Sequence, residues 1–160
     1  MHKLDQIDLD ILAALQADGR MTNVALARQV GLSPTPCLER VKSLEAAGYI
    51  SGYMACLAPA SLGLGLTVFV QISLAQTSQT AFDDFRAAVR AIPEIQECHM
   101  VAGGYDYLLK VRVPDMAAYR NFLGAVLSGI PGIRETHSYP VMEAVKESSA
   151  IGLAHLQERG

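Results

Sequence analysis

Gly103, Gly104 and Asp106 are the residues whose types and spacing best suit the binding of a small ligand. Glycine N–H groups at a turn can form an anion-binding concavity, and a carboxylate beside them accepts hydrogen bonds from a cation. An amino-acid zwitterion needs both, donors for its carboxylate and an anion for its ammonium. Met100, Met116 and Met142 could line an adaptable apolar pocket. The same residues also suit plainer roles: Gly-Gly makes a hairpin turn, and the methionines suit an ordinary core.

A second group is basic. Between Gly19 and Ile50, Arg20, Arg28, Arg40 and Lys42 stand against Glu39 and Glu45, four cations to two acids. Phosphate contacts need such a local excess. The whole chain carries a net charge of −3, so it is no generic polycation.

Nothing in the chain reads as a catalytic or metal centre. His2, His99, His137 and His155 lack ligand spacing, and Cys98 and His99, adjacent on a strand, point to opposite faces. There is no GxSxG and no phosphate-cradling glycine loop. Asp83-Asp84 suits a solvated helix face. No cofactor is expected. Cys37, Cys56 and Cys98 are odd in number and far apart, which suits reduced thiols. The N-terminus has acids where a signal peptide needs an apolar run, so secretion is not expected and a cytoplasmic location is.

These groups need elements to position them. At 51% hydrophobic and 18% charged residues, the 160-residue chain is too apolar for disorder, and it has room for one ordinary domain or two small ones. Three helices are expected first. Leu4, Ile7, Ile11, Leu12 and Leu15 mark one that stops at Asp18-Gly19. Thr22 caps the second, which Gly31 ends. Ser33 caps the third, whose prolines at 34 and 36 occupy first-turn positions where the N–H has no intrahelical partner. A helix pair joined by a short glycine turn is the pattern of a helix-turn-helix.

The stretch from Glu45 to Asp83 holds no charged residue between its ends, but Pro59, Gly63, Gly65 and Gln71 interrupt it. Its second half alternates with period two from Leu66 to Leu74, which marks a strand rather than a membrane helix. From there the pattern reads strand, helix, strand, strand, helix, strand, the ferredoxin-like unit. Two helices would cover one face of the sheet. The mixed residues Asp106, Leu108, Lys110 and Arg112 on the other face call for a partner sheet, hence dimerisation.

The run GRMTNVALARQVGLSPTPCLERVKSLEAAGYISGY resembles the DNA-binding half of the Lrp/AsnC family. The run EIQECHMVAGGYDYLLKVRVPDMAAYRNFLGAVLSGIPGIRETHSYPVMEAVKES resembles its amino-acid-sensing half. The segments LSPTPCLERV, IQECH and DYLLK…VPDM…YR carry the likeness, which spans about residues 4 to 148. It implies an α+β chain with an N-terminal winged helix-turn-helix and a C-terminal βαββαβ amino-acid-sensing domain. It also implies double-stranded DNA as partner, a small amino acid as effector held between dimers, and self-association from dimer to octamer.

Carried onto this chain, the resemblance makes Ser33 to Ala47 the recognition helix, with Ser33, Thr35, Pro36 and Arg40 facing DNA. Arg20, Arg28 and Lys42 add phosphate contacts. Its effector residues are Met100, Val101, Ala102, Gly103, Gly104, Tyr105 and Asp106, with Met116, Tyr139, Pro140 and Val141 nearby. Four positions depart from the family: Ala25 where an acid is frequent, Ser43 and Ala46 where basic residues are frequent, and Gly104 where an acid is common. The expected layout is 1–52 for DNA binding, 53–65 as a linker strand, 66–145 for effector binding and oligomerisation, and 146–160 as a tail. The expected function is transcription regulation by sequence-specific DNA binding in response to a leucine- or methionine-like amino acid. The alternatives are a small ferredoxin-like dimeric enzyme and a non-specific chromosome-organising protein.

Overall fold

The structure, a computed structural model, describes residues 4–157. The chain forms two compact units, one within Met1–Cys56 and Lys146–Gly160, the other within Leu57–Val145.

The first unit holds helices α1 (Gln6–Ala17), α2 (Asn23–Gln29), α3 (Pro34–Ala46) and the short α6 (Ala154–Gln157). Each of the first three starts where the sequence gives it a cap. Asp5 and Asp8 close a reciprocal capping box on α1, and the Thr22 hydroxyl accepts from the Ala25 N–H at 3.2 Å. Ser33 sits at the N-cap of α3 without a side-chain bond, and the prolines lie in the first turn as expected. Gly31, at φ +72°, makes the left-handed turn between α2 and α3. Ile11, Ala14, Leu26, Ala27, Cys37 and Leu44 form the small core.

The second unit is a four-stranded antiparallel sheet, in the order β2-β3-β1-β4, with two helices on one face. Its elements are β1 (Leu66–Leu74), α4 (Gln79–Arg90), β2 (Ile95–Met100), β3 (Tyr107–Val113), α5 (Met116–Asn121) and β4 (Ile133–Pro140). Val68, Val70 and Ile72 of β1 and Leu109 and Val111 of β3 are fully buried beneath Phe85, Val89, Tyr119 and Phe122. The βαββαβ order is the expected one.

Three details differ from the sequence reading. The second sheet helix is not continuous: after α5 it passes through a π turn (Phe122–Val126) and a 3₁₀ turn (Leu127–Gly129). Gly124 lies in that π turn, and the Ser128 hydroxyl bonds its carbonyl. Residues 53–65 form no strand, only a 3₁₀ turn at Ala60–Leu62, because a strand needs a hydrogen-bonding partner and the single chain offers none there. The tail is not a separate segment, since its described residues pack with α1. The Gln16 amide donates to the Ile151 carbonyl at 2.9 Å and accepts from the Ile151 N–H at 2.7 Å. No helix among the described residues is long and apolar enough to cross a membrane.

Candidate nucleic-acid and effector sites

α2 and α3 are locked together at their starts. The Asn23 amide donates to the Pro34 carbonyl at 2.7 Å, and Leu32 N donates to Ala27 O at 2.8 Å across the turn. With Cys37 and Leu44 buried, the opposite side of α3 is exposed, and it presents Thr35, Leu38, Glu39, Lys42 and Ala46 at helical spacing. Ser33, Pro36, Arg20 and Arg28 are exposed too. The Lys42–Glu39 pair is 3.7 Å apart and solvent-facing, so it binds Lys42 weakly. Pro34 and Pro36 remove two of the first N–H groups of α3, which leaves the Thr35 N–H as its main first-turn anion donor.

Arg40 is placed elsewhere. It lies on the inward flank between Cys37 and Leu44, and its Nη1 donates to Asp5 Oδ2 at 2.8 Å and to Asp8 Oδ1 at 2.7 Å. The expectation that Arg40 faces DNA is therefore corrected, because its guanidinium faces α1. The hydrogen bond from the Asp8 backbone, aided by Arg40, holds the Asp5 carboxyl below its ordinary value, and the two acids, Asp8 first, raise Arg40. Sequence reasoning overlooked Leu38 and Glu39; their three- and four-residue spacing from Thr35 was the available signal.

The effector residues fall into two groups. Met100 to Asp106 form one: Met100 ends β2 opposite Tyr107, and the six-residue connection 101–106 closes with Val101 N donating to Asp106 O at 3.0 Å. This is longer than a two-residue Gly-Gly turn, and neither Gly103 nor Gly104 has positive φ. Both glycines are exposed, with open space where a side chain would begin. Asp106 is half-buried, and its Oδ2 accepts from Leu74 N at 2.7 Å, so it ties the loop to the end of β1.

Met116, Tyr139, Pro140 and Val141 form the other group. Strands β2 and β4 are opposite edges, three strand spacings or roughly 14 Å apart. Met116 follows the far end of β3, roughly 20 Å from Tyr107. Tyr139 lies on the open face, its hydroxyl donating to Gln71 Oε1 at 3.3 Å, while Met100 registers with Tyr107 on the helix-covered face. Within one chain these residues are not near the glycine loop. Strand order, invisible in a linear reading, is the reason.

The open face carries charge as well. Glu97 accepts from Lys110 at 3.1 Å and pairs with His99 at 3.2 Å; these partners, His99 first, hold its carboxyl below the ordinary value. A cavity of about 890 Å³ lies in the first unit, among Leu12, Leu15, Tyr53, Ile151 and Leu156. Among the described residues no group of His, Cys, Asp and Glu could hold a metal ion.

Comparison with known proteins matches both units. Residues 67–151 fit the Lrp/AsnC ligand binding domain, and residues 4–51 fit a winged helix-turn-helix DNA-binding domain. The leucine-responsive regulatory protein of Salmonella typhimurium is 55% identical over 148 residues, 92% of this chain and 90% of that one. Its counterpart in Escherichia coli K12 is 54% identical over the same shares. A transcriptional regulator of Neisseria meningitidis, solved as its L-methionine complex, superposes with a TM-score of 0.92 at 40% identity, covering 96% of this chain and 99% of that one.

Proposed function

The chain belongs to the Lrp/AsnC family of DNA-binding transcription regulators rather than to any enzyme class, and on that premise we propose that it binds specific promoters and responds to a small apolar amino acid. The observation that carries the DNA part is the exposed ridge of α3, free of core contacts and braced by α2. Thr35, Leu38 and Glu39 are the base-facing residues, and Arg20, Arg28 and Lys42 supply phosphate contacts.

The effector seats at Met100–Asp106. The N–H groups of Gly103 and Gly104 meet its carboxylate, and the Asp106 oxygen not held by Leu74 accepts from its ammonium. The loop is open, so a second copy of the chain supplies the missing wall. Met116 and Tyr139–Val141, distant within one chain, join the site only from that second copy. The Arg86 guanidinium reaches Met100 Sδ at 3.7 Å but is paired with Asp83 at 3.1 Å, and the methionine-bound relative supports leucine or methionine as the effector. Dimers close the open sheet face, and octamers follow by family likeness.

The test is DNA binding by the full chain to the fragment upstream of its own gene, with random DNA as competitor, with and without each amino acid. The expected result is preference for the specific fragment and a change in affinity or assembly with leucine or methionine alone. Equal competition by random DNA favours the chromosome-organising alternative. A response to charged amino acids refutes the pocket chemistry.

A further inference from the structure

We propose that Arg40 positions the recognition helix by gripping the N-terminal cap of α1, and that it does so without touching DNA. This rests on the reading of α3 as the helix that enters the groove.

Three side chains make one unit. Asp5 Oδ1 accepts from Asp8 N at 2.9 Å, and Asp8 Oδ2 accepts from Asp5 N at 3.1 Å; these two bonds cap α1. The other oxygen of each carboxylate is turned to the same Arg40 nitrogen, at 2.8 and 2.7 Å. The cap therefore orders both acids before Arg40 arrives, which reduces the entropy that a surface ion pair loses. The Asp8 side chain is only 2% exposed, against 33% for Arg40 and 50% for Asp5. Removing one partner of a charge pair this buried is typically destabilising.

The contact supplies what the apolar core lacks. Cys37 and Leu44 bury one side of α3, but apolar contacts are non-directional and tolerate rotation and sliding of a helix. A two-carboxylate anchor at Arg40 fixes both, and base reading needs that precision, to within roughly 0.5 Å and 10–20°. Electrostatics agree. With two acids bound to it, Arg40 adds no net positive field at the surface, so the phosphate attraction of this region comes from Arg20, Arg28 and Lys42.

The experiment measures affinity of the full chain for specific and random DNA across a salt series, for Arg40→Ala, Arg40→Lys, Asp8→Asn, Lys42→Ala and Thr35→Ala. Arg40→Ala is expected to weaken specific binding roughly tenfold, to lower the ratio of specific to random affinity and to leave the salt slope unchanged. Asp8→Asn, which keeps the size of the side chain and one capping oxygen, is expected to act in the same direction, and the double variant to be no worse than Arg40→Ala alone. Arg40→Lys keeps most of the binding, because both acids are held through a single nitrogen. If Arg40→Ala fails to fold, Asp8→Asn and Arg40→Lys carry the test.

A salt slope that falls by about one in Arg40→Ala, tighter DNA binding in Asp8→Asn, or unchanged specific binding by folded Arg40→Ala overturns the proposal. If Lys42→Ala and Thr35→Ala bind as the parent does while Arg40→Ala does not, it is the reading of α3 that fails.

Discussion

The two units hold themselves together differently. The sheet unit buries a continuous core of branched and aromatic side chains, with Tyr107 packed at 4.5 Å between ring centroids against Phe85. The helical unit has a core cluster of six small or medium residues and adds polar fasteners: the Asp5–Asp8–Arg40 cluster, the Thr22 cap, the Asn23–Pro34 bond and the Gln16–Ile151 pair. A sheet core is robust to the loss of one polar bond. A helical unit with so small a core leans on such bonds for its geometry, and geometry is what DNA recognition requires.

The largest expected effect tests the sheet side. Phe85 is fully buried, so Phe85→Ala is expected to cost about 3–5 kcal/mol. Hydrogen exchange by mass spectrometry on the full chain should show lost protection in β1, β3 and α4 with α1–α3 unchanged. Equal loss in both units would mean that they unfold as one and would break the contrast.

Asp106→Ala comes next. It removes the acceptor of Leu74 N and, on the proposed reading, the ammonium partner. Loss of a hydrogen bond to a charged group typically costs about 1.5–3 kcal/mol, so effector affinity measured by calorimetry should fall roughly ten- to a hundred-fold. Asp106→Asn keeps the acceptor for Leu74 but not the charge. If its affinity equals the parent's, Asp106 acts only as a tie between loop and strand.

Gln16→Ala tests the tail. Two exposed hydrogen bonds to Ile151 are lost, worth about 1 kcal/mol together. Residues 148–156 should become more susceptible to proteolysis while the sheet unit keeps its protection. An unchanged cleavage rate would show that apolar packing of Leu153 and Leu156 alone holds the tail.

What the sequence disclosed and what it hid follow the same division. Local signals were legible: the period of β1, the caps at Thr22 and Ser33, prolines tolerated because first-turn N–H groups lack partners, and the βαββαβ order. Long-range pairing was not. Arg40 reads as a free cation on a recognition helix until Asp5 and Asp8, more than thirty residues earlier, are seen against it. Gln16 and Ile151 are 135 residues apart. The split of the effector residues depends on β2 and β4 being opposite edges, which no spacing along the chain reveals. The linker's failure to form a strand depends on a partner strand that the single chain does not provide.

The smallest expected effect concerns acid. The Asp5 carboxyl is held below its ordinary 3.8, first by the Asp8 backbone bond and also by Arg40. A carboxyl depressed in the folded state contributes stability that is present above its unfolded value and lost as the pH falls through its folded value. Asp5→Asn should therefore be less stable than the parent by a constant margin from neutrality down to about pH 5, well above the unfolded value. The margin should then close only below 3.8, as the parent's own carboxyl takes up its proton. The side chain is half exposed, so solvent screening keeps the margin small. Exchange protection of α1 in the full chain, followed against pH in both proteins, reads it directly. Equal protection of α1 in both proteins at neutral pH would mean that the helical unit owes its geometry to a group other than the Asp5–Asp8–Arg40 cluster.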